Sequence, residues 1–402
     1  MKHVILIGDG MADYPIPEYG DKTALQIANT PNLDFIATAG TCGLVKTIPE
    51  ELEAGSDIAT LALLGYDPAI YYTGRGPLEA MGMLIPLDNG DIAFRCNLIT
   101  EEGGKMLDHS GGHISDEEAG ELIEALNSGF RAKGVEFYPG VSYRNVLVLK
   151  SASGYVGAGG GCAPPHDIIG AVLDDELPKD ELLRHIIISS KKILDSHAIN
   201  ERRAASNKRK ANMIWLWSGG MKPAMPPFHD LYGVKGSVIS GVYLVKGIGN
   251  CAGMDVINVP GTTGYIDTNY KGKAEYALHS LKEHDFVLVH VEAPDEAAHM
   301  GDIEMKVEAI EKFDSLVVGK MLKGLEADFS DTGYKILAMP DHYTPVSLKV
   351  HTKEPVPVAI YDSHVQAEHK GEERAFDESF AREGELGILN ARARDLMRVF
   401  FG

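Results

Sequence analysis

Positive charge is scarce in this chain. Its 402 residues include 38 Lys and Arg against 58 Asp and Glu, for a formal net charge of -20. No basic field exists to displace counterions from a phosphate backbone, which argues against nucleic acid as a partner. Cysteine is scarce as well: Cys42, Cys96, Cys162 and Cys251 lie far apart and form no Cys-x-x-Cys pair. That argues against a disulfide framework or a zinc ribbon and fits a reducing cytoplasm. No apolar run approaches the roughly 18 residues of a membrane span, and the four-residue run before Gly8 and Asp9 is too short for a signal peptide. The pattern Gly-x4-Gly-Lys-Ser/Thr is absent, so no P-loop is expected. Aromatic content is 7%, with no exposed apolar stripe from which to argue an interface or an oligomeric state. At 44% hydrophobic and 24% charged, the composition is that of an ordered globular protein. The length exceeds what one core usually supports, which predicts two domains.

Three apolar strands end in acids. Phe286 to Val291 runs to Pro294 and Asp295, Ile336 to Met339 runs to Pro340, Asp341 and His342, and Val4 to Ile7 runs to Gly8 and Asp9. The carboxyl ends of strands are where open α/β sheets bind ligands. Pro294 in the first turn of a helix would put Asp295 and His299, four apart, on one face. Alone, such a pair is commonplace on a solvated helix. With Asp341, His342, His351 and Asp9 it forms a cysteine-free ligand set suited to Mn²⁺ or Zn²⁺, and less to Mg²⁺. Six candidate ligands are more than one ion needs, so two divalent ions are expected.

Taken in order, Pro31 to Ala39 reads as a helix capped by Asn29-Thr30, and Cys42 to Ile48 as a strand. Ser56 follows Gly55 at the start of an apolar-periodic helix, where it could be a simple N-cap or a nucleophile activated by a cation and the positive helix end. Arg75, between Gly74 and Gly76, could grip a carboxylate or phosphate. Asp91 to Ile99 is a strand carrying Arg95 and Asn97, and Tyr143 to Leu149 another carrying Arg144. The loop at 109 to 115 holds His109, and Ser115 to Lys133 is a helix with Ser115 and Glu118 as a capping box. The glycine run at 157 to 161 is weak evidence for a phosphate cradle. Helix is expected over Leu177 to His197, then a basic polar connection over 201 to 212, returning from an insertion into Met213 to Trp217 as a strand of the first sheet. Beyond it strands and helices alternate, including helices at Gly241 to Gly247, Lys273 to His284 and Gly301 to Glu326 and a last strand at Val356 to Ile360. Residues 362 to 385 read as polar surface and Leu389 to Phe400 as a closing helix. This alternation predicts a mostly parallel sheet covered on both faces.

The motifs GDGMAD, GSDIATLALLGYDP, YYTGRGPLEA, AFRCN, APDEAAHMGD and PDHYTP, in this order, resemble the archaeal-type 2,3-bisphosphoglycerate-independent phosphoglycerate mutases of the alkaline phosphatase superfamily. The resemblance covers nearly the whole chain. It implies an alkaline-phosphatase-like, doubly wound α/β domain (1–83 and 205–402) interrupted by a smaller α+β substrate domain (84–204). It also implies two divalent ions, Mn²⁺ first, with Zn²⁺, Co²⁺ or Mg²⁺ as alternatives. A small phosphorylated metabolite is the expected partner, and a phosphoserine the expected intermediate.

Carried over by position, Asp9, Ser56, Asp341 and His342 surround one ion, while Asp295, His299 and His351 hold the other. Ser56 becomes the nucleophile without ceasing to cap its helix. His109, Arg75, Arg95, Asn97 and Arg144 face substrate, and Lys246 steadies the transferred phosphoryl group. No Arg-His-Gly tripeptide occurs, as the unrelated phosphohistidine mutases would require. One segment departs from the mutase pattern: IWLWSGG, residues 214 to 220, resembles a bacterial subgroup proposed to be homoserine kinases, in which Trp215 or Trp217 could stack on a nucleotide. Homoserine phosphorylation at Ser56 is therefore the alternative activity, and a catalytically silent metabolite-binding protein a remote one.

Overall fold

The computed structural model describes residues 1–130, 134–155, 157, 160–365, 375–392 and 394–402. The end of the helix expected to reach Lys133, part of the glycine run, and residues 366–374 of the expected polar surface lie outside them. The chain forms two compact units, Met1–Tyr72 with Ala224–Gly402, and Thr73–Pro223. The insertion expected over 84–204 falls inside the second. Among the described residues no helix is long and apolar enough to cross a membrane.

The first unit is built on an eight-stranded sheet in the order Ile388–Asn390, Thr41–Lys46, Val356–Asp362, Tyr334–Met339, Lys2–Gly8, Phe286–Val291, Gly236–Ile239, Asp255–Val256. Only Val356–Asp362 runs antiparallel to its neighbours, so the sheet is mostly parallel. Parallel strands joined by helical crossovers bury both faces, and Lys2–Gly8 has no exposed residue. On one face Val4, Leu6, Val287, Val289, Ile336 and Ala338 pack with Leu33, Ile36, Phe313 and Val317 from helices. On the other, Phe286 stacks on Phe228 at 4.8 Å and meets Phe401 of the last helix at 6.0 Å.

Register explains why the acids converge. The three central strands are parallel neighbours, with Gly8 opposite Val291 and Ile7 opposite Met339. Their carboxyl ends are therefore flush, and the residues just beyond them, Asp9, Asp295 and Asp341, emerge along one edge.

The second unit is an antiparallel sheet around Ile92–Glu102, which pairs with Lys105–Asp108, Arg144–Leu149 and Met213–Gly220; Val135–Val141 pairs outside Arg144–Leu149. Helices Asp116–Gly129 and Glu181–Leu194 pack on its core through Leu122, Leu126, Ile186 and Ile187. Met213–Gly220 thus belongs to this sheet, not to the first. An apolar run announces a strand but not its partner. Residues 201–205, expected in a polar connection, complete the helix Ala198–Ala205, where Arg203 is buried against Glu118. Only half of the expected capping box forms: the Ser115 hydroxyl accepts from the Glu118 N–H. Leu389 and Asn390, expected to open the closing helix, instead lie in a parallel edge strand, Ile388–Asn390, and the helix is Asp395–Phe401.

Candidate active site

The helix Ser56–Leu63 begins at Ser56, with Gly55 as its N-cap residue in an extended conformation. Ser56 therefore does not cap the helix, contrary to expectation, and its hydroxyl is turned elsewhere. Its Oγ lies 3.4 Å from Asp9 Oδ2 and 3.2 Å from His342 Nε2. His342 Nε2 is in turn 3.4 Å from Asp9 Oδ1 and 3.4 Å from Asp341 Oδ2. Asp341 spends its other oxygen on the N–H groups of Gly10 and His342, at 3.2 and 3.0 Å. Asp9 Oδ1 and Asp341 Oδ2 are both buried without a hydrogen-bond partner. Buried carboxylate oxygens left unmatched in this way are what a divalent cation would neutralise.

A second donor set adjoins the first. Asp295 sits in the first turn of Ala293–Met300, directly after Pro294, beyond the central strand. Its Oδ2 is 3.2 Å from His299 Nε2, and its Oδ1 is 3.4 Å from His351 Nε2. The two imidazoles approach each other at 2.9 Å through the same nitrogens. Each keeps its Nδ1 on a backbone carbonyl, His299 on Lys349 at 2.9 Å and His351 on Ala54 at 3.3 Å. A carbonyl on Nδ1 leaves the Nε2 lone pair for a metal, the usual arrangement of histidine ligands. Among the described residues, two clusters have the mutual spacing of a metal site: Asp9, Asp341 and His342, and Asp295, His342 and His351. Carboxylates and imidazoles together suit a divalent transition metal.

The electrostatics follow from burial and crowding. Burial, then the neighbouring Asp341 and Asp295, push the Asp9 carboxyl well above the ordinary range. Burial opposes ionisation of Asp295 too, but contacts with His299 and His351 outweigh it and hold its carboxyl low. Burial pushes His342 down to about 4, against the pull of Asp341. For His299 burial is overcome by Asp295, which holds it up to about 9.

The remaining expected residues group in the second unit, except Lys246. Arg75 opens the helix Arg75–Gly82, its N–H donating to Ser218 Oγ at 2.9 Å. Arg95 is buried, ion-paired with Glu79 at 3.1 Å and stacked 4.5 Å over the Trp217 ring. Asn97 accepts from Trp217 Nε1 at 3.0 Å and donates to the His109 carbonyl at 3.3 Å, so its amide is engaged at both ends. Arg144 lies 5.1 Å over Tyr143, whose ring meets His109 edge-on at 5.7 Å. Lys246, in the first unit, is buried on helix Tyr243–Cys251, which packs against the Ser56 helix, and donates to Asn258 Oδ1 at 3.0 Å.

The family model described as 2,3-bisphosphoglycerate-independent phosphoglycerate mutase matches residues 37–200. The enzyme of that name from Methanosarcina acetivorans is 51% identical over 394 residues, covering 97% of this chain and 98% of its own. This chain belongs to that mutase family. A probable mutase of the same kind from Geobacter sulfurreducens is 47% identical, with 96% and 97% covered. Among solved structures, a Pyrococcus horikoshii protein superposes with a TM-score of 0.83 at 30% identity, covering 100% of this chain and 97% of its own. The cofactor-independent phosphoglycerate mutase of Thermoplasma acidophilum does so with a TM-score of 0.67 at 28% identity, each chain fully covered.

Two further groups of side chains, one in each unit, carried little signal in the sequence. His166 faces Trp217 at 5.9 Å and His109 at 6.4 Å, beside the arginine cluster, and its place after Pro164-Pro165 in a loop carried no signal. Glu292, His290 and Lys273 form a buried network behind Asp9. Lys273 Nζ lies 2.8 Å from Glu292, Glu292 lies 3.1 Å from His290 Nδ1, and His290 Nε2 lies 3.3 Å from Asp9 Oδ2. Burial would raise the Glu292 carboxyl, but Lys273 and His290 hold it far below the carboxylate range. The polar interruption at His290 within an apolar strand was its one visible sign.

Proposed function

We propose that the chain interconverts 3-phosphoglycerate and 2-phosphoglycerate through a phosphoserine on Ser56, beside two divalent ions. The observation that carries this reading is the position of Ser56: its hydroxyl, at a helix N-terminus, lies within 3.4 Å of Asp9 and His342, members of a buried ligand set. One ion would be held by Asp9, Ser56, Asp341 and His342, the other by Asp295, His299 and His351. Mn²⁺ is the first candidate, with Zn²⁺, Co²⁺ or Mg²⁺ as alternatives. When bound, such ions supply positive charge for the phosphoryl oxygens and a lowered pKa for the serine hydroxyl.

The remaining steps belong to protein groups. Ser56 Oγ takes the phosphoryl group from one oxygen of the bound acid: the Oγ–phosphorus bond forms as the ester bond breaks, and the proton lost from Ser56 is balanced by the one gained by the departing oxygen as it becomes a hydroxyl. It returns the group to the other hydroxyl after the glycerate has turned. Phosphoryl transfer asks chiefly for alignment and charge complementarity. By the family pattern, Arg75, Arg95, Arg144 and His109 would supply cationic and donor groups for phosphate and carboxylate, and Lys246 would steady the transferred phosphoryl group; Asn97 holds Trp217 and the His109 backbone.

The homoserine kinase reading rested on the two tryptophans. Trp215 is 0% and Trp217 5% exposed; Trp215 Nε1 donates to the Ala163 carbonyl, and the Trp217 ring carries Arg95. Neither offers a platform for an adenine, which supports the mutase. The test is phosphorus NMR of purified protein with Mn²⁺, given 3-phosphoglycerate alone and then homoserine with ATP. Formation of 2-phosphoglycerate is expected, and phosphohomoserine alone would overturn the proposal. Ser56→Ala is expected to lose activity by roughly 10³-fold or more, and an unchanged rate would remove Ser56 as nucleophile.

A further inference from the structure

Thr344 is fully buried three residues beyond Asp341 and lies between the two donor sets. Its Oγ1 is 2.5 Å from Asp295 Oδ1 and 3.2 Å from His342 Nδ1. An ionised carboxylate can only accept, so the hydroxyl proton of Thr344 goes to Asp295. The lone pairs of the same oxygen then face His342, whose Nδ1 must donate. That leaves His342 Nε2 with its lone pair on the side of Ser56, Asp9 and Asp341.

The hydroxyl is itself held in place. The Thr344 carbonyl accepts from Lys306 Nζ at 2.9 Å, and the Thr344 N–H donates to the Ala12 carbonyl at 3.3 Å. Lys306 is wholly buried, and its charge is matched by Asp13 at 2.8 Å. Gly10, at φ +60°, closes the other side. A Cβ there would stand 2.6 Å from both Thr344 Oγ1 and Asp295 Oδ1.

We propose that Thr344 is a positioning residue of the centre: one hydroxyl that fixes the tautomer of His342 and the orientation of Asp295 together, coupling the two donor sets. The inference rests on the reading of Asp295 and His342 as metal ligands. Its counterparts are the carbonyls on His299 and His351, which orient one imidazole each. A threonine replaces the carbonyl at the residue that both clusters share, and it can donate onward where a carbonyl cannot.

The experiment compares Thr344→Val, which keeps the shape and removes the hydroxyl, with Thr344→Ser, which keeps the hydroxyl. Mn²⁺ affinity is measured by calorimetric titration. The valine variant is expected to bind Mn²⁺ about 10- to 100-fold more weakly, the range seen when partners that orient metal ligands are removed. The serine variant should recover most of that loss. Wild-type affinity in the valine variant would overturn the proposal. Should that variant fail to fold, nitrogen NMR of His342 in the metal-free wild-type protein decides: a proton on Nδ1 supports the proposal, and a neutral ring protonated on Nε2 overturns it. Asp295→Asn and His342→Gln serve as references. If both bind Mn²⁺ as the wild type does, the ligand reading itself fails and this inference with it.

Discussion

Glu378 is 5% exposed and accepts from the Thr23 hydroxyl at 2.6 Å and the Asp13 N–H at 3.0 Å. Burial outweighs those bonds and raises its pKa from 4.5 to about 6. A carboxyl raised on folding stabilises the fold fully below its unfolded pKa, and that contribution is lost as pH rises through the folded one. The window is pH 4.5 to about 6, and at 1.36 kcal/mol per unit the loss is about 2 kcal/mol. Glu378→Gln should therefore gain about that much stability relative to wild type between pH 4 and pH 7 in urea titrations. A pH-independent difference would contradict the assignment. The acids and histidines of the centre were legible because glycine and proline mark where each strand ends. Lys273 and Lys306, each 0% exposed, were not. On a helix a lysine reads as solvated until a partner from another element, Glu292 or Asp13, is seen beside it.

The long helix expected from Gly301 to Glu326 contains a break that propensity could not show. Ile303–Phe313 passes through a π-turn, Asp314–Val318, into Gly319–Phe329. The turn presents buried Asp314 to the start of the helix Pro31–Ala39, where it accepts from the N–H of Asn32 at 3.1 Å and of Leu33 at 2.7 Å. Thr30, the expected cap, makes no capping bond. The cap thus comes from a residue some 280 positions away, which no local pattern encodes. Asp314→Ala should cost about 1–3 kcal/mol, since it leaves the Asn32 N–H and the buried Leu33 N–H without their acceptor. Thr30→Ala should cost clearly less. Equal losses in thermal unfolding would refute the assignment. The longer helices were readable from period and punctuation, with shifted ends, whereas short ones such as Ala24–Ile27, Arg75–Gly82 and Phe228–Tyr232 were not.

For the molecule as a whole, ligand linkage predicts a large effect of metal on the first unit. An ion bound only by the folded chain at 100 times its dissociation constant adds about 2.7 kcal/mol. Calorimetry with and without EDTA should show the first unit's transition shifting upward on Mn²⁺ addition while that of the second stays in place. A shift in the second unit alone would contradict the placement of the ligands. The alternation of strands and helices made the parallel sheet legible, but not the order of its strands. Met213–Gly220 illustrates the difficulty, since its alternatives were two sheets that its apolar side chains suit equally.

The second unit, finally, is closed on itself at its margins: the Thr73 hydroxyl donates to the Met221 carbonyl at 2.6 Å, and Gly220 lies against the Thr73 backbone. Where the chain comes in and where it goes out are thus stitched side by side. A segment hemmed in this way is portable. It could be exchanged for a homologous cassette, or trimmed and elaborated over generations, without disturbing the register of the strands that deliver the acids.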